Sequence, residues 1–263
     1  MSFEFLTVER RNAVEYVTLN RPDVRNAFNE HVIAELTAWA ARAHADPDLR
    51  AVVIAGAGKV FSAGADAAWM SKMAGYSREE NVRDAEAGAR MFEAINTVPA
   101  IVIARIHGAA LGGGCGLAAV CDIVVADEAA VFGFTETKLG ILPAMISPYV
   151  LQKIGASAAR ELFLTGMRFD AVRAKAIGLV HAVVPTGHLD PTIDNYLSEA
   201  LSAAPTAVAR AKALIPRVLG RPTTEVMAIT TEAIAAQRVS AEGQDGLKAF
   251  LAKSKPGWVR DSL

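Results

Sequence analysis

Cysteine is nearly missing from this 263-residue chain, which has only Cys115 and Cys121. Their spacing fits neither a C-x-x-C motif nor a disulfide framework. The expected reading is two small buried residues in a reducing cytosol, hence a cytoplasmic protein. Charge of one sign is also lacking, since 27 Lys and Arg stand against 28 Asp and Glu, a net of -1. Without a basic excess there is nothing to neutralise a phosphate backbone, so nucleic acid is not an expected partner. No apolar run reaches the length of a membrane span, so no membrane is expected either. Met1–Leu6 lacks the basic-then-apolar layout of a signal peptide. There is no H-E-x-x-H and no Cys/His cluster, so no metal is expected. Three nucleotide and nucleophile motifs fail on spacing. Leu117 takes the last glycine place of a G-x-G-x-x-G, Gly56–Lys59 is too short for a P-loop, and Val60 breaks a G-x-S-x-G around Ser62.

Apolar residues make up 52% and charged residues 21% of the chain, the balance of a globular protein. Alternating runs at Phe3–Glu9 and Ala13–Asn20 predict an antiparallel strand pair joined through Arg10–Asn12. Apolar residues at helical spacing predict a helix over Asn29–His44 and a second over Arg78–Asn96. Ala51–Ala55 and Ala100–Ile106 are continuous apolar runs, the mark of buried strands. Leu117–Val120 starts helical and leads into a strand at Ile123–Ala126, and Val131–Phe134 is a further strand. The layout of strand, helix, strand and loop recurs without repeating any sequence, which predicts an α/β core of stacked units. From about residue 190 the texture turns alanine-rich. Helical stretches over Pro191–Leu219 and Thr224–Leu251 predict a helical appendage, packed on a neighbouring subunit or capping its own. The expected division is therefore 1–190 and 191–263.

Two small-residue turns carry the chemistry: Phe61-Ser-Ala-Gly-Ala-Asp66 and His107-Gly-Ala-Ala-Leu-Gly-Gly-Gly-Cys-Gly116. Each follows an apolar run, and together they can aim two backbone N–H groups at one oxygen, the arrangement that stabilises an oxyanion. His107 reads as a structural part of its turn rather than as a base. Glu136 follows the strand Val131–Phe134 among Phe134, Leu139, Ile141 and Leu142. Burial there would raise its pKa and suit it to proton transfer. Taken alone the segment reads slightly better as a solvated glutamate paired with Lys138 at a strand end, and it is the two upstream turns that favour the catalytic role.

These segments resemble the enoyl-CoA hydratase/isomerase family, the crotonase superfamily. The matching stretches are Leu19-Asn-Arg-Pro22 with Arg25-Asn-Ala27, Phe61–Asp66, Gly108–Cys115 with Cys121-Asp122, and Gly133-Phe-Thr-Glu136. Lys138-Leu-Gly-Ile-Leu-Pro143, Leu164-Thr-Gly166, Ala174–Val180 and Ala249–Pro256 continue the series in family order over nearly the whole chain. The resemblance implies a crotonase-like spiral of strand-strand-helix units with a C-terminal helical trimerisation region, assembled as a homotrimer or dimer of trimers. It implies an acyl-CoA thioester substrate and no cofactor beyond the coenzyme A that the substrate carries. The oxyanion-hole N–H groups map onto Ala65 and Gly113. Arg25, Ala27, Ala63, Asp66, Ala67 and Ala68 would border coenzyme A, with Phe250 and Lys253 reaching it from a neighbouring subunit.

Hydratases of the family with two catalytic glutamates place one directly after the Gly-Gly-Gly-Cys run. Gly116 stands there in this chain, while the other maps onto Glu136. Asp66–Asn81 and Leu142–Tyr149 resemble bacterial hydratases of branched glutaconyl-CoA esters such as 3-methylglutaconyl-CoA. A hydratase of branched or glutaconyl-type 2-enoyl-CoA is therefore expected, with Arg78, Arg83 or Arg90 as candidate holders of a distal carboxylate. The alternative is an isomerase that moves a 3-ene to a 2-ene with Glu136 as its single base. A non-catalytic CoA-binding or RNA-binding role is more remote, since the helix at Asn29–His44 carries Arg42 but no lysine.

Overall fold

The computed structural model describes residues 3–259. The two outermost ends of the expected division, residues 1–2 and 260–263, lie outside them. β-Branched residues, Thr7 and Val8 in one strand and Val14, Val17 and Thr18 in the other, favour β1 (Leu6–Arg11) and β2 (Val14–Leu19), paired antiparallel with Leu6 opposite Leu19. The first strand starts later than expected and runs to Arg11, so the hairpin is tight and turns through Asn12 at φ 53°. Asparagine is one of the few residues that tolerate that left-handed backbone. α1 (Glu30–Ala45) follows, its end capped by Asn29 Oδ1 accepting from the Val32 N–H at 3.0 Å. β3 (Ala51–Gly56) precedes α2 (Ala67–Met73), whose seven residues are too few for a helical period to be legible. α3 (Arg78–Asn96) opens on a capping box of Ser77 and Glu80.

Next come β4 (Ile101–Ile106), β5 (Ala109–Leu111) and α4 (Gly113–Val120), then β6 (Ile123–Asp127) and β7 (Val131–Gly133). A single 3-10 turn, Glu136–Leu139, leads to α5 (Ser147–Thr165), which kinks at Gly155. β8 (Arg168–Asp170), α6 (Ala171–Ala176) and β9 (Ala182–Val184) close the strand-bearing part. The rest is α7 (Leu189–Ser202), α8 (Pro205–Val218), α9 (Thr223–Val239) and α10 (Ala241–Ala252). The two long stretches expected here are each broken once. Pro205 fixes a new helix start after α7, and Ser240 turns extended to cap α10 through its Oγ.

The strands make a six-stranded sheet ordered β1-β2-β3-β4-β6-β9 and a three-stranded sheet ordered β5-β7-β8. Successive units place one strand in each sheet, β4 with β5 and then β6 with β7, and this is the spiral. α1, α3, α4 and α5 cover one face of the larger sheet around the fully buried Trp39, Ile54, Ile95 and Leu117. The other face, Val14, Val53, Ile103 and Val125, is covered by Leu189, Ile193 and Leu197 of α7. The expected division at residue 190 thus falls inside a helix that packs on the sheet. None of the described helices is long and apolar enough to cross a membrane.

Candidate active site

The Phe61–Asp66 and His107–Gly116 turns are stitched side by side. The Ser62 N–H donates to Ala109 O and the Leu111 N–H to Ser62 O, both at 3.0 Å, a parallel bridge between the loops. Glycine lets them approach closely. A Cβ on Gly64 would meet Leu111 O at 2.7 Å and one on Gly114 would meet Ser62 O at 2.7 Å. Asn26 braces the first loop from beneath. It is buried at φ 54°, and its Nδ2 donates to Ala57 O and Val60 O at 2.8 and 2.9 Å. The Ser62 hydroxyl donates to Asn26 O at 2.9 Å. Sequence reading placed Asn26 in a family motif without a role, because its partners lie over thirty residues away.

Ala65 and Gly113 come together across this junction. The bridge of Phe28 with Ala65 uses Gly64 O and the Asp66 N–H, at 2.7 and 2.8 Å, which leaves the Ala65 N–H outside it. Gly113 begins α4, so its N–H is one of the four that a helix start leaves without a partner, at the positive end of the helix dipole. A Cβ on Gly64 would lie only 3.6 Å from Gly113 N. Glu136 stands over the same junction, where a Cβ on Gly112 would sit 3.2 Å from its Oε1. Burial raises the Glu136 pKa, against a smaller lowering by its own backbone N–H. Its Oε2 is buried without a hydrogen-bond partner, and no ion pair to Lys138 exists among the described residues. The solvated, paired reading of Glu136 is thus set aside by its surroundings.

All three line one cavity of about 180 Å³. Its apolar wall includes Trp69, Met73, Met91, Phe92, Leu142 and Met145, and its polar side chains are Asn81, Asp84 and Glu136. Asp84, which sequence reading missed, accepts from Trp69 Nε1 at 3.2 Å, and burial raises its pKa. Its signal was a lone acid on the apolar stripe of α3. The three arginines expected to face the acyl chain, Arg78, Arg83 and Arg90, are exposed and line none of it. The helical stripe that faces the cavity runs through Asn81, Asp84, Ala85 and Gly88, which leaves Arg83 and Arg90 on the opposite side, while Arg78 stands at the first residue of α3, a turn before the lining begins.

Gly116 is buried in α4 rather than open to the cavity. A Cβ there would lie 2.1 Å from Ile146 Cγ2 and 3.2 Å from Phe92 Cε1. The space is therefore filled, and a glutamate at 116 requires Ile146 to move.

The remaining expected contacts do not line the cavity. Arg25 is exposed at φ 56°, and its carbonyl accepts from the Ala63 N–H at 2.9 Å. Ala27 is buried and its carbonyl accepts from Arg21 at 2.7 Å. Asp66 caps α2, accepting from the Ala68 N–H at 2.8 Å, and pairs with Arg21 at 2.9 Å. Burial alone would raise its pKa, but the Ala68 and Arg21 bonds hold it below the ordinary value. Ala67 and Ala68 are exposed on the first turn of α2, Phe250 is 80% exposed, and Lys253 ends α10 at φ 53°. His107 Nε2 lies 3.0 Å from Gly58 O, a turn contact. Both cysteines are buried, and burial pushes the Cys121 thiol up to about 12.

The enoyl-CoA hydratase/isomerase profile matches residues 9–261. A solved enoyl-CoA hydratase from Shewanella pealeana superposes with a TM-score of 0.94 at 36% identity, covering 97% of this chain and 96% of its own. A short-chain-enoyl-CoA hydratase of Clostridium acetobutylicum is 32% identical, covering 97% of each chain. The crotonyl-CoA hydratase of Syntrophomonas wolfei is 31% identical over 98% of this chain and 99% of its own. The fold is the crotonase fold, and the chain belongs to the enoyl-CoA hydratase/isomerase family of enzymes.

Proposed function

We propose that this protein is an enoyl-CoA hydratase that adds water to an uncharged, straight or branched 2-enoyl-CoA through an enolate. The observation that carries the reading is the convergence of the Ala65 and Gly113 N–H groups with the unpartnered Glu136 Oε2 at one end of an apolar cavity. The thioester C=O would accept from both N–H groups, which favour the negative charge that grows on it. Glu136 would take a proton from water as the water oxygen bonds to C3, and return that proton to C2 of the enolate. One water O–H bond and the C2=C3 π bond break while C3–O and C2–H bonds form, so a single carboxylate closes the cycle. The raised pKa of Glu136 suits both halves.

A glutaconyl-type substrate fits less well, because Asp84 and Glu136 are the cavity's charged side chains and no cation lines it among the described residues. The second reading, isomerisation of a 3-ene to a 2-ene, is favoured by one observation. Ile146 and Phe92 occupy the space beside Gly116 where a second carboxylate would hold water. On either reading coenzyme A enters with the substrate, and the chain works as a cytoplasmic homotrimer or dimer of trimers. The 80% exposure of Phe250 supports a role for it and Lys253 in a neighbour's site. The test is a panel of crotonyl-CoA, a branched 2-enoyl-CoA, 3-methylglutaconyl-CoA and a 3-enoyl-CoA, following water addition and double-bond migration separately. Hydration of the first two, faster than of the third, is expected. Migration without hydration would establish the isomerase instead.

A further inference from the structure

We propose that the far end of the acyl cavity is a recognition site for a hydroxyl group, built from Asp84 with Trp69, so that the preferred acyl chain carries a distal hydroxyl. The inference rests on the reading of this cavity as an acyl-CoA pocket and adds what its remote end selects. Asp84 Oδ1 accepts from the Trp69 indole N–H at 3.2 Å, and Trp69 itself is only 5% exposed. The indole thus fixes the carboxylate against the wall, while no protein donor reaches Oδ2 among the described residues. Asn81, one turn earlier on α3, lines the cavity beside it. Lys72, on the neighbouring α2, is held by Glu30 at 2.6 Å and is not part of the lining.

A half-buried carboxylate with a spare acceptor and no cation gains most from a ligand that donates a hydrogen bond. It repels a ligand carboxylate for the same reason. Asp84 cannot stand in for the carboxylate missing at Gly116. Phe92, the residue of α3 that covers Gly116, lies two turns further on, about 12 Å along the axis. Asp84 is therefore remote from the position a second catalytic carboxylate would take, and the hydroxyl it binds is on the far part of the chain.

The test is binding, not turnover, so it does not depend on hydration or isomerisation. Dissociation constants are measured by calorimetry for the saturated hexanoyl-CoA, ω-hydroxyhexanoyl-CoA and adipoyl-CoA. In the native protein the hydroxyl ester should bind roughly tenfold tighter than the alkyl ester, the scale of a hydrogen bond to a charged group, and adipoyl-CoA most weakly. Asp84→Leu should invert the first pair. Asp84→Asn should keep a hydroxyl preference and relieve the discrimination against adipoyl-CoA. Trp69→Phe, which keeps Asp84 but frees it, should shrink the preference and serves if the leucine variant does not fold. Equal affinity for hydroxyl and alkyl esters in the native protein, or an order unchanged by Asp84→Leu, overturns the proposal. Failure of all three esters to bind overturns the acyl-CoA reading along with it.

Discussion

Among the described residues, two regions of this molecule differ in the kind of group they leave unmatched. At the mouth of α4 they are polar: the N–H groups of Ala65 and Gly113 and the buried Oε2 of Glu136. Along α8–α10 they are apolar. α1 buries six side chains from Val32 to Ala43, whereas α8 buries none, α9 only Val226 and α10 only Ala249. Val239 is 78% exposed, and Phe250 and Leu251 each 80%. Unmatched polar groups in a small cavity call for a ligand with complementary atoms, while unmatched apolar groups spread over three helices call for another protein surface. The first region is the proposed site and the second, by the same logic, the surface on which the proposed assembly would form.

The largest effect expected is at the polar end. Glu136→Gln keeps the size of the side chain and removes its proton transfer. On the preferred substrate kcat should fall by ~10²–10⁴, with the fold intact by circular dichroism. A fall of less than about tenfold would place the acid/base elsewhere. The next effect concerns the N–H pair. Gly113→Pro deletes one donor at a helix position that tolerates proline. A Cβ at 113 would meet the Phe28 ring at 2.9 Å, so the variant is made on Phe28→Leu, with that single variant as reference. A loss of ~10²–10³ in kcat is expected, and full turnover in a folded double variant would remove Gly113 from the reaction.

At the apolar end the effect is on association rather than on chemistry. Phe250→Glu with Leu251→Glu should reduce the assembled species in sedimentation velocity. Because both side chains are exposed in the single chain, its own stability should move by no more than about 0.5 kcal/mol per site. Assembly that survives both changes would show that these residues face water.

The same contrast explains what could be read before any coordinates. Long periodic elements were legible: α3 spans Arg78–Asn96 as its apolar stripe predicts, and β3, β4 and β6 lie within a residue or two of their apolar runs. That Ala65, Gly113 and Glu136 are candidates for one site was legible, because small-residue turns and an acid after a strand are local signals, and the three line one cavity. Asn26, Asp84 and Ile146 were not. Each acts through partners distant in sequence, as with Ile146 against Gly116 thirty residues away. For Gly116 a missing carboxylate was legible, but the sequence could not say that Ile146 had filled the space. The exposed placement of Arg83 and Arg90 follows from the rotation of α3, which is set by what the opposite stripe packs against, and that of Arg78 from its place at the first residue of the helix.

The smallest effect tests whether the unmatched polar group costs stability in the empty site. Burial raises the folded-state pKa of Glu136 above its value in the unfolded chain. Between those two values the native state holds more protons than the unfolded state. Stability contributed here therefore falls as pH rises through that window and stays lower above it. Glutamine does not titrate, so the Glu136→Gln variant lacks this loss. Denaturant unfolding at a pH below the ordinary carboxyl range and again near neutrality should show the variant gaining on the native protein as pH rises. A carboxylate matched by donors in the folded chain would give the reverse, with the variant falling behind. That outcome would mean Glu136 is held by the protein itself, and the contrast between a site that awaits a ligand and a surface that awaits a partner would not hold at its polar end.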